Sequence, residues 1–181
     1  TEVRPRDWVL VRADLQAMPL VEQVVEQILR AGGNPTVQLL SEELDEVMLK
    51  AAGDEQLAWL SPLEQLTAER VDARIMIRAP GNTRGLSGTD PERQRIRQNG
   101  QRTIQQTYMQ RAAAGDHRWA LTVFPCAAYA QEADMSLRDY ADFVYAATYA
   151  DQDDPAACWR AVHARQQRLV DWLAGKSQVV A

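Results

Sequence analysis

Two histidines, His117 and His163, and two cysteines, Cys126 and Cys158, supply all the imidazole and thiol chemistry in this chain of 181 residues. His163 follows Cys158 by five positions, so on one helix their directions differ by about 140° and they do not face a common ligand. Zinc sites pair their ligands at three- or four-residue helical spacing or in Cys-x-x-Cys turns, and neither pattern occurs. We expect a part-buried thiol, a surface imidazole and no metal site. Asp151, Asp153 and Asp154 mimic the head of a calcium loop, but Ala156 replaces the glycine of its sixth position and Val162 the glutamate of its twelfth. Helix capping accounts for these acids better, as it does for Glu42, Glu43 and Asp45 after Ser41.

Gly81-Asn82-Thr83-Arg84-Gly85-Leu86-Ser87-Gly88 lies where a phosphate cradle would, between a strand and a helix. It carries neither Gly-x-Gly-x-x-Gly nor the Walker spacing, and Asp14-Leu15-Gln16-Ala17 after the first strand carries neither as well. A flexible connection is the expectation for residues 81–89. Gly-x-Ser-x-Gly is absent, and no Ser-His-Asp set can be assembled. The sequence thus offers no catalytic, cofactor-binding or metal-binding residue.

Between Pro91 and Ala114, Arg93, Arg95, Arg97, Arg102 and Arg111 face only Glu92 as a counter-charge. The apolar stripe there is thin, chiefly Ile96, Ile104, Tyr108 and Ala112, so the segment reads as a surface helix with its guanidinium groups solvated or against acidic protein. An interface is the alternative use. Arg74 and Arg78 alternate with Ile75 and Ile77, placing a second basic row on one strand face.

The elements around these residues alternate. Short clusters rich in strand formers at Trp8–Ala13, Thr36–Leu40, Ala73–Ala79 and Trp119–Phe124 predict four strands, separated by helical patterns. Leu20, Val21, Val24, Val25, Ile28 and Leu29 recur at steps of three and four before Gly32-Gly33, the stop of a helix. Ser61-Pro62-Leu63-Glu64 predicts a capping box with proline at the first helical position. Asp90-Pro91 and Asp154-Pro155 repeat the cap, Ser136 with Asp139 opens a helix through about Tyr149, and Pro155–Ala174 is the longest helix. Alternating strands and helices predict an α/β fold: a four-stranded, mostly parallel sheet with helices on both faces, a Rossmann-like three-layer sandwich without a dinucleotide fingerprint. Residues 1–176 form one domain, with no repeat and no internal boundary.

Composition bounds the rest. A 46% hydrophobic, 25% charged chain of this length can bury roughly 70% of its unfolded surface and needs no disulfide or metal to hold it. The formal net charge of −5 opposes nucleic-acid binding. No apolar leader opens the chain and no stretch reaches the ~18 apolar residues of a membrane span. Two distant cysteines fit reduced thiols, and we expect a cytoplasmic protein. Thr1 in place of Met fits a piece of a longer protein.

Three segments near the start, Asp7-Trp8-Val9-Leu10-Val11-Arg12-Ala13-Asp14, Pro19-Leu20-Val21-Glu22 and Ala31-Gly32-Gly33-Asn34-Pro35, resemble the amino-terminal part of the aminopeptidase S and aminopeptidase T family of metalloaminopeptidases. Phe124-Pro125, Ala130-Gln131-Glu132-Ala133 and the run from Met135 to Tyr145 resemble the stretch after the fourth strand in that family, and Asp154-Pro155 with Trp159 continues in order. Asp134 departs from the glycine the family carries at that point. The resemblance spans essentially the whole chain, through strand ends, caps and core positions. It implies a two-domain peptide hydrolase whose two divalent metal ions, zinc or cobalt, are held by Glu, His and Asp of a carboxy-terminal domain. Residues Ser177–Ala181 would open that domain, and the present chain would be its scaffold and wall, without metal or catalytic residues of its own. The resemblance further implies a homodimer, with the arginine-rich segment or the Arg74 and Arg78 face against the catalytic domain or a second subunit. A stand-alone α/β module binding a small anion at the carboxyl ends of its strands is the competing reading.

Overall fold

In the computed structural model, residues 2–176 are described. Strands β1 (Trp8–Asp14), β2 (Asn34–Leu40), β3 (Ala73–Arg78) and β4 (Arg118–Val123) form one sheet in the order β2-β1-β3-β4. Every pairing is parallel. β1 occupies an interior position and is buried on both faces, the pattern its continuous apolar run implies. β2 begins at Asn34, ahead of the expected Thr36, and takes in Pro35. An edge strand tolerates a proline because one side of its ladder needs no donor.

Helix α1 (Met18–Arg30) returns the chain from β1 to β2. Its Val21 and Ile28 pack with Val9, Val11 and Ala13 on one sheet face, and Leu20, Val24 and Val25 flank them. Leu29, though in the same apolar series, is exposed. Three helices, α2 (Glu42–Ala51), α3 (Asp54–Ala58) and α4 (Pro62–Arg70), connect β2 to β3. The arginine-rich segment is two helices, α5 (Pro91–Gly100) and α6 (Arg102–Ala113), where the sequence predicts one. Ala68 of α4 and Ile104 and Tyr108 of α6 join Leu10 and Val71 on the opposite face. Helices therefore cover both faces of the sheet. α7 (Ala127–Glu132), α8 (Leu137–Ala147) and α9 (Pro155–Ala174) follow β4.

The caps at Ser41, Asp90, Ser136 and Asp154 each accept a backbone N–H of the first turn. At Ser61 the capping box is not made, because the Glu64 carboxylate lies 3.5 Å from Arg12 on β1 instead. Of the two placements expected for the arginines, solvent is corrected for Arg93 and Arg111, whereas Arg97 does lie against acidic protein. Arg93 donates to the carbonyls of Leu49 and Ala52 at the end of α2, and Arg111 to Ala68 in the last turn of α4 at 2.9 Å. Both guanidinium groups supply donors to carbonyls that a helix end leaves unpaired, at the negative pole of its dipole. Arg97 pairs with Asp45 at 2.6 Å. Arg95 bonds Glu92 on the exposed side. Arg74 lies 4.0 Å from the centre of the Tyr108 ring, a cation–π contact that occupies this half of the basic row of β3 from within, while Arg78 stays part-exposed at the strand end.

No residue of α9 is buried, and its large apolar side chains Trp159, Leu169, Val170 and Trp172 are half or more exposed. It is tethered at its start, where the Trp159 indole N–H donates to the Thr148 carbonyl and its ring meets Tyr149 edge-on. Among the described residues no helix is long and apolar enough to cross a membrane.

Candidate functional site

The strand order fixes where a ligand site can form. β1 leads outward to β2 on one side while β3 leads to β4 on the other, so the chain leaves the carboxyl ends of β1 and β3 in opposite directions and opens a crevice between them. Asp14 ends β1 and Arg78 ends β3, at the mouth of this crevice.

Asp14 is 3% exposed. Its Oδ2 accepts the backbone N–H of Ala79 at 2.8 Å and lies 3.3 Å from Nε of Arg78. The guanidinium is thus oriented from below by a buried carboxylate. The Tyr129 hydroxyl lies beside Arg78; burial raises its pKa, and the cation pulls it partly back. The segment after β3 is held at several points, against the expectation of a flexible connection. Asn82 donates its backbone N–H to Glu42 Oε2 at 2.9 Å and accepts from the Arg84 N–H, an Asx turn. Thr83 donates to Glu132 at 2.7 Å, with Arg84 beside the same carboxylate. These partners, Thr83 before Arg84, hold the Glu132 carboxyl below its ordinary pKa. Thr89 is buried and its hydroxyl donates to the Leu86 carbonyl at 2.7 Å.

This loop divides two clefts. One, of about 360 Å³, lies between it, α2 and Tyr129 and includes Glu42, Asp45, Arg78 and Leu86. The other, about 720 Å³, is polar and open, between the loop and α7, with Arg84, Glu132 and Asp134 on its wall. Asp134 has φ +54°, a left-handed conformation that glycine adopts without steric cost. A third cavity, about 550 Å³ and more apolar, is lined by Trp59, Met48, Leu57 and Leu63.

The titratable residues singled out from sequence do not converge. Cys126 is buried at the start of α7, whereas Cys158 and the exposed His163 are on α9. Asp151, Asp153 and Asp154 are exposed, and Asp154 caps α9. Among the described residues no group of three or more His, Cys, Asp or Glu side chains could hold a metal ion. The crevice residues Asp14, Glu42 and Tyr129 escaped sequence reasoning. One trace was available: a buried strand that ends in a carboxylate.

His117 is 3% exposed at the opposite, amino-terminal end of the sheet. Its Nδ1 lies 3.3 Å from the Val71 carbonyl, its ring packs on Tyr108, and its Nε2 has no partner. Nδ1–H donation leaves Nε2 as a bare lone pair; protonation would bury an unpaired N–H. Burial, with Arg74, Arg111 and Arg118 nearby, lowers the His117 pKa below 6.5. Below pH 6.5 the unfolded chain therefore binds more protons at this position, and stability falls as pH falls. Urea midpoints are expected to drop between pH 7.5 and pH 5. His117→Gln, which keeps a donor for Val71, should flatten that part of the profile.

Comparison with known proteins supplies what the crevice alone does not. The family model described as thermophilic metalloprotease (M29) matches residues 1–179. Aminopeptidase 2 of Geobacillus stearothermophilus is 28% identical over 186 aligned positions, covering 96% of this chain and 45% of that protein. The solved structure of wild-type AmpT from Thermus thermophilus superposes with a TM-score of 0.72 at 22% identity, over 96% of this chain and 44% of that one, and shares the fold. The chain spans less than half the length of both relatives. It belongs to the thermophilic metalloprotease (M29) family.

Proposed function

We propose that this chain is the amino-terminal scaffold domain of a metal-dependent, cytoplasmic aminopeptidase that removes amino-terminal residues from peptides. The carrying observation is the family match along nearly the whole chain, combined with coverage of under half of each relative. The two divalent ions, zinc or cobalt, find no donor set among the described residues and belong in this reading to the remaining half, where they would activate water and polarise the scissile carbonyl. In this reading residues 1–176 are the domain and Ser177–Ala181, outside the described residues, are the start of the carboxy-terminal catalytic domain.

The exposed apolar side chains of α9 support a domain or subunit contact there. The arginine-rich segment is less suited to that role than expected, because Arg93, Arg97 and Arg111 are engaged within the chain. We place the contact with the catalytic domain on α9 and retain the homodimer as part of the proposal. Expressed alone, the 181-residue chain is expected to retain no stoichiometric zinc or cobalt after gel filtration and to release no leucine from leucyl peptides. Its source reading frame, extended past Ala181, should encode Glu, His and Asp ligands and give a cobalt- or zinc-dependent peptidase. Stoichiometric metal on the short chain with proportionate hydrolysis overturns the proposal.

A further inference from the structure

We propose that the smaller crevice, between Glu42 and Arg78, is a binding site for a free α-amino acid. The cleft of about 360 Å³ is sized for one residue or two, and it holds both charges that a zwitterion requires. Arg78 is 39% exposed at its side chain, with Nε turned to Asp14. Its terminal nitrogens form a planar fork suited to a carboxylate. Across the same cleft, Glu42 accepts the Asn82 N–H through Oε2, while Oε1 takes no hydrogen bond among the described residues. That oxygen is available to an ammonium group. Leu86 and the Tyr129 ring offer apolar surface to a side chain.

Charge decides between ligand classes. Asp14 takes only Nε of Arg78, and Asp45 is paired with Arg97, so Arg78 still offers its terminal nitrogens while Glu42 makes the cleft acidic on balance. A phosphate, carrying more negative charge than Arg78 can offset, would meet that carboxylate. A zwitterion brings no net charge and satisfies both ends. The small-anion module is therefore the weaker reading of this crevice. The position also conforms to the general placement of ligands at a switch point between parallel strands. The site itself rests on this geometry alone; that the ligand is a product of peptide cleavage rests on the function proposed above.

Isothermal titration of the 181-residue chain tests it. L-Leucine is expected to bind, with leucinamide, N-acetylleucine and inorganic phosphate each at least tenfold weaker. Glu42→Gln keeps an acceptor for the Asn82 N–H, so its melting temperature should match the parent while leucine affinity falls at least tenfold. Tyr129→Phe keeps the apolar ring and removes only the hydroxyl beside Arg78, so it should weaken binding without abolishing it. No heat with leucine, phosphate binding tighter than leucine, leucinamide equal to leucine, or an unchanged affinity in Glu42→Gln each overturns the assignment. Peptidase activity does not enter these measurements, so their failure leaves the aminopeptidase reading standing, and an inactive extended protein leaves this site standing.

Discussion

Asp14→Ala is expected to destabilise the fold by about 2–3 kcal/mol, lowering Tm by roughly 5–10 °C for a chain of this size. The reason is asymmetric. Ala79 is 0% exposed, so the N–H that now donates to Asp14 at 2.8 Å would stay out of water with no acceptor, at a cost of about 1–3 kcal/mol. Loss of the Arg78 contact adds little, because the guanidinium is partly solvated and exposed pairs contribute only about 0–1 kcal/mol. Asp14→Asn separates the two effects. Its amide oxygen can still accept from Ala79, so most stability should return, whereas the charge that orients Arg78 does not. Urea unfolding of both variants checks this. Equal losses in Asp14→Ala and Asp14→Asn would show that the carboxylate charge, and not the backbone acceptor, holds the crevice together.

The same residue marks the limit of sequence reading. The helix starts were legible because a cap is local: Asp154 and Ser136 act on N–H groups three residues away. Strand positions were legible because burial on a parallel sheet writes itself as short apolar runs. Asp14 and Ala79 are 65 residues apart and meet only through the β1–β3 register. No spacing in the sequence encodes that meeting. Ser61 shows local and distant partners competing. A local rule assigns Glu64 to the cap, but Arg12 on β1 takes it, an attraction visible only once α4 has packed on the sheet. The arginines misled for a related reason. Their surplus over Glu92 looked like solvent-facing charge because the carbonyls that receive Arg93 and Arg111 are backbone atoms, which no composition counts. The division of residues 91–114 into two helices at Gly100 had a local trace in the glycine itself, but the close approach of α3 at that residue had none.

That close approach yields the second large effect. At Gly100, the last residue of α5, an added Cβ would stand 2.7 Å from the Ala58 carbonyl oxygen, 2.9 Å from its Cα and 3.0 Å from its carbonyl carbon. All three are backbone atoms at the end of α3, so no rotamer change relieves the overlap and the two helices must separate. Propensity argues the other way, because alanine is favoured over glycine within a helix by about 1 kcal/mol. Overpacking of a fixed contact costs typically 1–3 kcal/mol and occasionally more. The clash should win, giving Gly100→Ala a net loss of about 2 kcal/mol and a Tm lower by roughly 4–8 °C. Gly88, with nothing within 4 Å of its would-be Cβ, is the control, and Gly88→Ala should stay within about 0.5 kcal/mol of the parent. Adding Ala58→Gly to Gly100→Ala should not restore stability, because the trimmed methyl is not among the atoms in conflict. A Tm at or above the parent's in Gly100→Ala would mean that propensity outweighs the contact. Rescue by Ala58→Gly would mean that side chains, not backbones, set the distance between α3 and α5.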